Sequence, residues 1–285
     1  MFLCYTQPHM PEIWQQFLDE KTANIYLHAK NKEQTSTFWK SKLCKKCIKT
    51  SWGDISLVKA TLILLTYAVY DKSNTHFVLL SDSCLPVNNY NHTYDQISSM
   101  KQSNFNIRKS YNPRDTKNAF QKALIKHSQW FILTRDDAEF ILNNDHLNDV
   151  KKLKLIDERY FGSVLNYYKR PFTDSIKTFD TWKGNYNREM PYYMRDQYPM
   201  SLIRVKQGSI VDRVIKGSEV REHVCRKIYD KIYRKLNIST AHPVTFIYLD
   251  LLVLSYVKKS GALFMRKINK NTKIDADVIR KILHK

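Results

Sequence analysis

Between residues 2 and 81, short apolar runs that stop at polar or turn residues alternate with segments of helical spacing. No other feature constrains the fold as strongly. Phe2 to Tyr5 is apolar and halts at Gln7-Pro8, which predicts a first strand. Pro11 to Asp19 places Ile13, Trp14, Phe17 and Leu18 on one helical face. Asn24 to His28 reads as a second strand. Ser56 to Tyr70 reads as a helix, with Ser56 at its cap or first turn. His76 to Ser81 reads as a third strand, closed by Asp82-Ser83-Cys84-Leu85-Pro86. Strand, helix, strand, helix, strand predicts an α/β fold with a mostly parallel central sheet flanked by helices. Ligands of such sheets bind beyond the carboxyl ends of the strands, so Thr6, His28 and Ser81, Asp82 and Ser83 are expected at the site.

Downstream, residues 88–128 read as polar and loop-rich, Gln129 to Leu133 as a strand and Arg135 to Leu142 as a helix. Asp157 to Tyr168 reads as one helix with Tyr160, Phe161, Val164 and Leu165 on a face. Asp250 to Lys258 reads as another helix, and Ala262 to Ile268 as a last strand or loop. No internal repeat is visible, and the chain is expected to form a single domain over 1–285.

Charge narrows the partners without choosing one. With 47 Lys and Arg against 27 Asp and Glu, the net charge of +20 suits an anionic partner: a nucleotide diphosphate, an acidic membrane surface or nucleic acid. The excess concentrates at about 183–237, where Val220, Val224, Ile228, Ile232 and Leu236 recur every four residues of a basic amphipathic helix. That helix can pack its stripe on the domain, lie on a membrane or bind nucleic acid. The cysteines Cys4, Cys44, Cys47, Cys84 and Cys225 are odd in number and irregularly spaced, so no disulfide framework is expected. Cys44 and Cys47 form a lone CxxC without the second pair of a zinc site. The first residues carry no signal-peptide pattern. No apolar run approaches the ~20 residues of a membrane span, so the chain as given is expected to be soluble or cytoplasmic.

Several segments, in order along the chain, resemble the Core-2/I-branching N-acetylglucosaminyltransferase family, most closely its plant-type branch. Phe2-Leu3-Cys4-Tyr5-Thr6 is similar to its opening strand, Ile25-Tyr26-Leu27-His28-Ala29 to its YVHA strand, and Trp52-Gly53-Asp54-Ile55-Ser56-Leu57-Val58 to its WG turn into a helix. Phe77 to Pro86 resembles its FVLLSESCIP segment. Lys126-His127-Ser128-Gln129-Trp130-Phe131 resembles its KGSQWF segment, with histidine in place of glycine. Asp157-Glu158-Arg159-Tyr160, His242-Pro243-Val244-Thr245-Phe246 and Leu263-Phe264-Met265-Arg266-Lys267 resemble its DEHY, HPATF and LFARKF segments. The sequence as given is expected to depart from the family in lacking the membrane anchor and stem common among its Golgi members, and in the basic insert.

The resemblance implies a GT-A-like fold and inverting transfer of a sugar from a UDP-sugar, N-acetylglucosamine in the family, to a glycan hydroxyl without a metal. It assigns the general base to Glu158, with Asp157 as a cap or orienting neighbour. It assigns the donor diphosphate to Lys267 with Arg266 beside it. An ungapped count drops the family's second diphosphate base on Val244. Thr6, His28, Ser81, Asp82 and Ser83 would face the donor, and Ser128, Gln129 and Trp130 the acceptor or donor sugar. The carboxylate pairs Asp136-Asp137 and Asp275-Asp277 are expected to be structural rather than metal ligands, because acids at helix starts favour the dipole. Three other readings stand beside this one: a basic nucleic-acid-binding protein, a catalytically silent glycan-binding relative that keeps the fold, and a relative that transfers xylose or glucuronic acid.

Overall fold

The computed structural model describes residues 1–19, 22–110, 116, 118–180 and 245–284. The expected basic helix at about 183–237, Cys225 and the segment His242 to Val244 lie outside the described residues.

The early strands are β1 (Phe2–Cys4), β2 (Leu27–Ala29), β3 (His76–Val78), β4 (Leu80–Ser81) and β5 (Cys84–Pro86). Then follow β6 (Asn104–Phe105), β7 (Ile107–Ser110), β8 (Ile125–His127), β9 (Ile132–Thr134), β10 (Thr173–Asp174) and β11 (Thr178–Asp180). The last are β12 (Phe246–Leu249), β13 (Phe264–Arg266) and β14 (Ile268–Ile274). The first helices are α1 (Pro11–Phe17), α2 (Thr37–Ser41), α3 (Ile55–Tyr70), α4 (Tyr90–Ser98) and α5 (Ala119–Lys122). They continue as α6 (Arg135–Asn143), α7 (Leu147–Val150), α8 (Tyr160–Tyr167), α9 (Leu251–Lys259) and α10 (Ala276–Leu283).

β2, β1 and β4 pair in parallel, with Leu3 opposite both His28 and Ser81. β3 is antiparallel to β9, β9 to β6, and β6 is parallel to β10. Residues 76–81 join the two groups. Between β3 and β4, Leu79 donates its N–H to Phe131, and Leu80 donates to Met1 on the other side. The mostly parallel α/β sheet expected from the sequence is therefore present, with β9 running against the rest.

Both faces of this sheet are buried, and alternation along the strands sends side chains to two cores. Phe2, Cys4 and Leu80 pack with Trp14, Trp39 and Phe264. Met1, Leu3, Phe77 and Leu79 pack with Val58, Leu64 and Leu65 of α3 and with Phe131, Tyr160 and Phe161. Each fully buried Leu or Phe of this kind stabilises the fold by ~1.5–3 kcal/mol. α1 starts with Pro at its first position and buries Ile13, Trp14 and Phe17. The Trp14 indole donates to the Cys84 carbonyl at 3.1 Å, which satisfies its one polar atom. α3 is capped by Asp54, which accepts the Ser56 N–H, so Ser56 lies in the first turn.

Three expectations need correction. Residues 88–128 hold α4, α5 and three short strands, because polar caps rather than apolar stripes start the helices: Asn89 accepts from His92, and Asn118 from Gln121. The strand expected at Gln129 begins at Ile132, since the Trp130 N–H turns to the Ser128 hydroxyl. The helix expected over Asp157 to Tyr168 is broken into a single 3₁₀ turn, Ile156–Glu158, and α8, because Arg159 between them sits at φ −141° and ψ −36°. Among the described residues, no helix is long and apolar enough to cross a membrane.

Candidate functional site

The parallel strands β1, β2 and β4 deliver three chain ends to one rim. Lys30 donates its N–H to Cys4 and Asn31 to Tyr5, so the segments after β1 and β2 stay together. After β4, the buried Ser81 and Ser83 hydroxyls lie 3.0 Å apart, and Ser81 Oγ also takes the Ser83 N–H. These hydroxyls build the turn. Asp82, between them, faces outward: its Oδ2 accepts the Tyr5 N–H at 3.2 Å and lies 3.9 Å from His9 Nε2. Thr6 is half-buried, and its carbonyl accepts from the Thr35 hydroxyl. His28 is fully buried, with Nε2 accepting the Ile48 N–H at 2.9 Å, and burial pushes its pKa down to about 4.

Residues nearly two hundred positions away in sequence come to the same rim through β13. β5 pairs antiparallel with β13, placing Arg266 opposite Cys84, and Ile268 donates its N–H to Ser83. His9 closes the corner from the other side, its Nδ1 2.9 Å from the Ile268 carbonyl. Lys267 is half-buried; burial lowers its pKa, Arg266 lowers it further, and Asp82 opposes both. Among the described residues no carboxylate comes within ion-pair distance of it. The Arg266 guanidinium lies 4.6 Å from the ring centroid of Trp130, which is 6% exposed. This cation–π contact fixes where the base dyad sits.

Residues 126–130 tie that rim to a carboxylate. His127 points inward as a neutral ring: Nδ1 donates to the Ser128 carbonyl at 2.7 Å, and Nε2 accepts the Gly162 N–H at 3.1 Å. Burial drives the His127 pKa down to about 4. Lys126 then points the other way, and its Nζ lies 3.4 Å from Glu158 Oε2. Ser128 is buried and donates its N–H to Asn106, while Gln129 is half-buried. From Lys126 to Trp130 the chain can span no more than roughly 14 Å. Glu158 and the Arg266–Lys267 dyad are thus linked through two ends of one short segment.

The turn carrying Glu158 is held from α3. Leu155, at φ 53°, donates its N–H to Gly53 at 2.8 Å, and Gly53 itself sits at φ 68°. Asp157 is buried; burial first, and the Glu158 charge second, raise its pKa to about 6. Its Oδ1 has no hydrogen-bond partner among the described residues.

The other carboxylate pairs sit at helix starts, three of the four acids beside arginines. Asp137 is buried, accepts from Arg170 Nε at 2.7 Å and from the Ser103 hydroxyl, and Asp136 also pairs with Arg170. Asp275 sits at the N-cap of α10 and Asp277 pairs with Arg280. Among the described residues, no three His, Cys, Asp or Glu side chains are grouped as metal ligands. Cys4, Cys44, Cys47 and Cys84 are free thiols.

The Core-2/I-Branching enzyme family model matches residues 1–199, more than half of the sequence. The chain belongs to the Core-2/I-branching family. It is 29% identical over 161 residues to a rice protein named glycosyltransferase BC10, from Oryza sativa subsp. japonica, a match covering 52% of this chain and 40% of that protein. The family region includes Gly53, Asp82, Trp130 and Glu158, whereas Arg266 and Lys267 lie beyond it. In this Core-2/I-branching chain, sequence reasoning missed Lys126 as the partner of Glu158 and His9 as the neighbour of Asp82. Lys126 stood unassigned inside a recognised segment. The position of His9, right after Pro8, carried no signal of its own.

Proposed function

We propose that this chain is an inverting glycosyltransferase domain of GT-A type. In this reading it transfers a sugar, N-acetylglucosamine from its UDP derivative, to a glycan hydroxyl in β-1,6 branching fashion without a metal ion. The observation that carries the proposal is the pairing of two unlike groups around residues 126–130: the Glu158 carboxylate at one end, and at the other Arg266, whose chain neighbour Lys267 is half-buried with no ion-pair partner among the described residues.

The chemistry needs both. The acceptor hydroxyl attacks the anomeric carbon, its proton passes to Glu158, and the bond from that carbon to the diphosphate oxygen breaks with its electron pair leaving on the diphosphate. A positioned base contributes ~10²–10⁴-fold to such a step. Lys267 and Arg266 supply positive charge where the leaving group gains negative charge, and a water-poor setting strengthens that attraction. The resemblance supports these roles, and the name of the rice relative supports sugar transfer.

The test is a panel of UDP-sugars in EDTA, followed by UDP release with and without glycan acceptors. Turnover of one donor with the metal chelated is expected. A requirement for manganese would contradict the metal-free step. Preference for UDP-xylose or UDP-glucuronic acid would replace the donor. Absence of UDP binding, with tight salt-sensitive nucleic-acid binding instead, would replace the whole reading.

A further inference from the structure

A cavity of about 390 Å³ opens at the amino ends of the parallel strands, the end opposite Asp82 and Lys267. Its lining includes residues 24–26 ahead of β2, residues 75–78 along β3, and the α4 residues Tyr90, Thr93, Tyr94, Ile97 and Ser98. That volume falls within the roughly 300–1,000 Å³ typical of small-molecule sites.

The lining has few ionisable groups: the His76 ring and the Met1 amino group, which donates to the Val78 carbonyl at 2.9 Å and whose pKa burial lowers to about 5. No Asp, Glu, Lys or Arg is among the described residues that form it, in a chain whose net charge is +20. A phosphate or nucleotide would find no lysine or arginine among the described lining residues. The walls combine an apolar surface with a rim of neutral polar groups. Leu18, Ile25, Val78 and Ile97 are half-buried along the wall. Tyr94, 42% exposed, stacks on Tyr90 with centroids 5.8 Å apart and planes at 29°. The Tyr90 hydroxyl is fixed against Thr22 Oγ1 at 2.6 Å.

The rim offers hydrogen bonds of both senses. Asn24 spends its NH₂ on Asp71 and Asn74, which leaves its amide oxygen to accept. The Tyr26 hydroxyl accepts from Asn74 at 3.1 Å, which leaves its proton to donate. A pyranose ring has apolar C–H faces and a circumference of hydroxyls that both donate and accept. It matches such a wall and rim, and aromatic rings are suited to its faces.

We propose that this cavity is a second, non-catalytic binding site for a neutral saccharide, at the opposite end of the sheet from the Glu158–Lys267 site. Such a site would hold a stretch of an extended glycan on the domain independently of transfer. Binding needs no donor, so it can fail while transfer stands, and transfer can fail while binding stands.

The test is binding of the whole chain to an array of neutral oligosaccharides (β-glucan, chitin, xylan, galactan and mannan fragments), with no UDP-sugar and in high salt. Titration of the best ligand into Tyr94→Ala and Glu158→Gln follows. Tyr94 is exposed, so its substitution leaves the cores intact. The expected result is a dissociation constant weakened at least tenfold in Tyr94→Ala and unchanged in Glu158→Gln. Three results would overturn the proposal: no neutral oligosaccharide bound by the unsubstituted chain, loss of binding in Glu158→Gln with none in Tyr94→Ala, or occupancy by an apolar dye that no oligosaccharide displaces.

Discussion

Leu155 donates its backbone N–H to the Gly53 carbonyl at 2.8 Å, and a Cβ placed on Gly53 would come within 3.0 Å of Leu155 Cδ2. This contact sets the turn that presents Glu158. Both residues have positive φ, and the left-handed conformation is accessible to Gly without strain. Gly53→Ala is therefore expected to destabilise the protein by about 1–3 kcal/mol, read as a lower urea midpoint. Activity should fall further than the folded fraction does, because the Glu158 turn is displaced.

Asp157 gives a stability prediction with a definite sign. Its folded pKa of about 6 lies above the ordinary value of 3.8, so the fold favours the protonated form. Its stabilising effect is complete below about pH 4 and is lost as pH rises through 6. Asp157→Asn removes that loss. The variant should be more stable than the parent at pH 8, by about 1–3 kcal/mol, and the gap should close near pH 4. Calorimetric melting at the two pH values checks this.

His127 and His28 act in the opposite direction. Burial lowers each from 6.5 to about 4, so the unfolded chain binds protons that the fold refuses. Stability from these two rings is present above pH 6.5 and lost as pH falls toward 4. In NMR titrations of the native protein neither ring should protonate between pH 8 and 5.5. A midpoint near 6.5 for either would contradict the buried, neutral arrangement.

Much of this architecture is legible from spacing. β1, α1, α3 and the 76–81 strand follow from runs of apolar residues and their periods, because burial on both faces of the sheet demands them. The broken helix after Asp157 is not legible. The positive φ of Leu155 goes with its hydrogen bond to Gly53, a hundred residues earlier, and Arg159 leaves helical geometry just after that turn. The stacking of Arg266 on Trp130 is equally hidden, since no local pattern in either segment announces the other. Glu158 and Lys267 were named through resemblance; Lys126 emerged only once β8 showed which side chain turns toward the carboxylate.

The Arg266–Trp130 contact should tune donor affinity. Lys in place of Arg266 keeps the charge but loses the planar stack, and such contacts contribute ~0.5–2 kcal/mol. Arg266→Lys is expected to raise KM for the UDP-sugar several-fold with little change in kcat. Lys267→Ala should lower kcat as well, because its charge is needed most as the diphosphate leaves. Steady-state kinetics with the two variants separates these outcomes.

The most direct measurement compares Glu158→Gln with the parent for turnover and for UDP-sugar binding, in EDTA. The account predicts that kcat falls by ~10²–10⁴ while the donor dissociation constant and melting temperature stay close to the parent values. Unchanged turnover in Glu158→Gln would show that another group takes the acceptor proton, and would contradict the central claim.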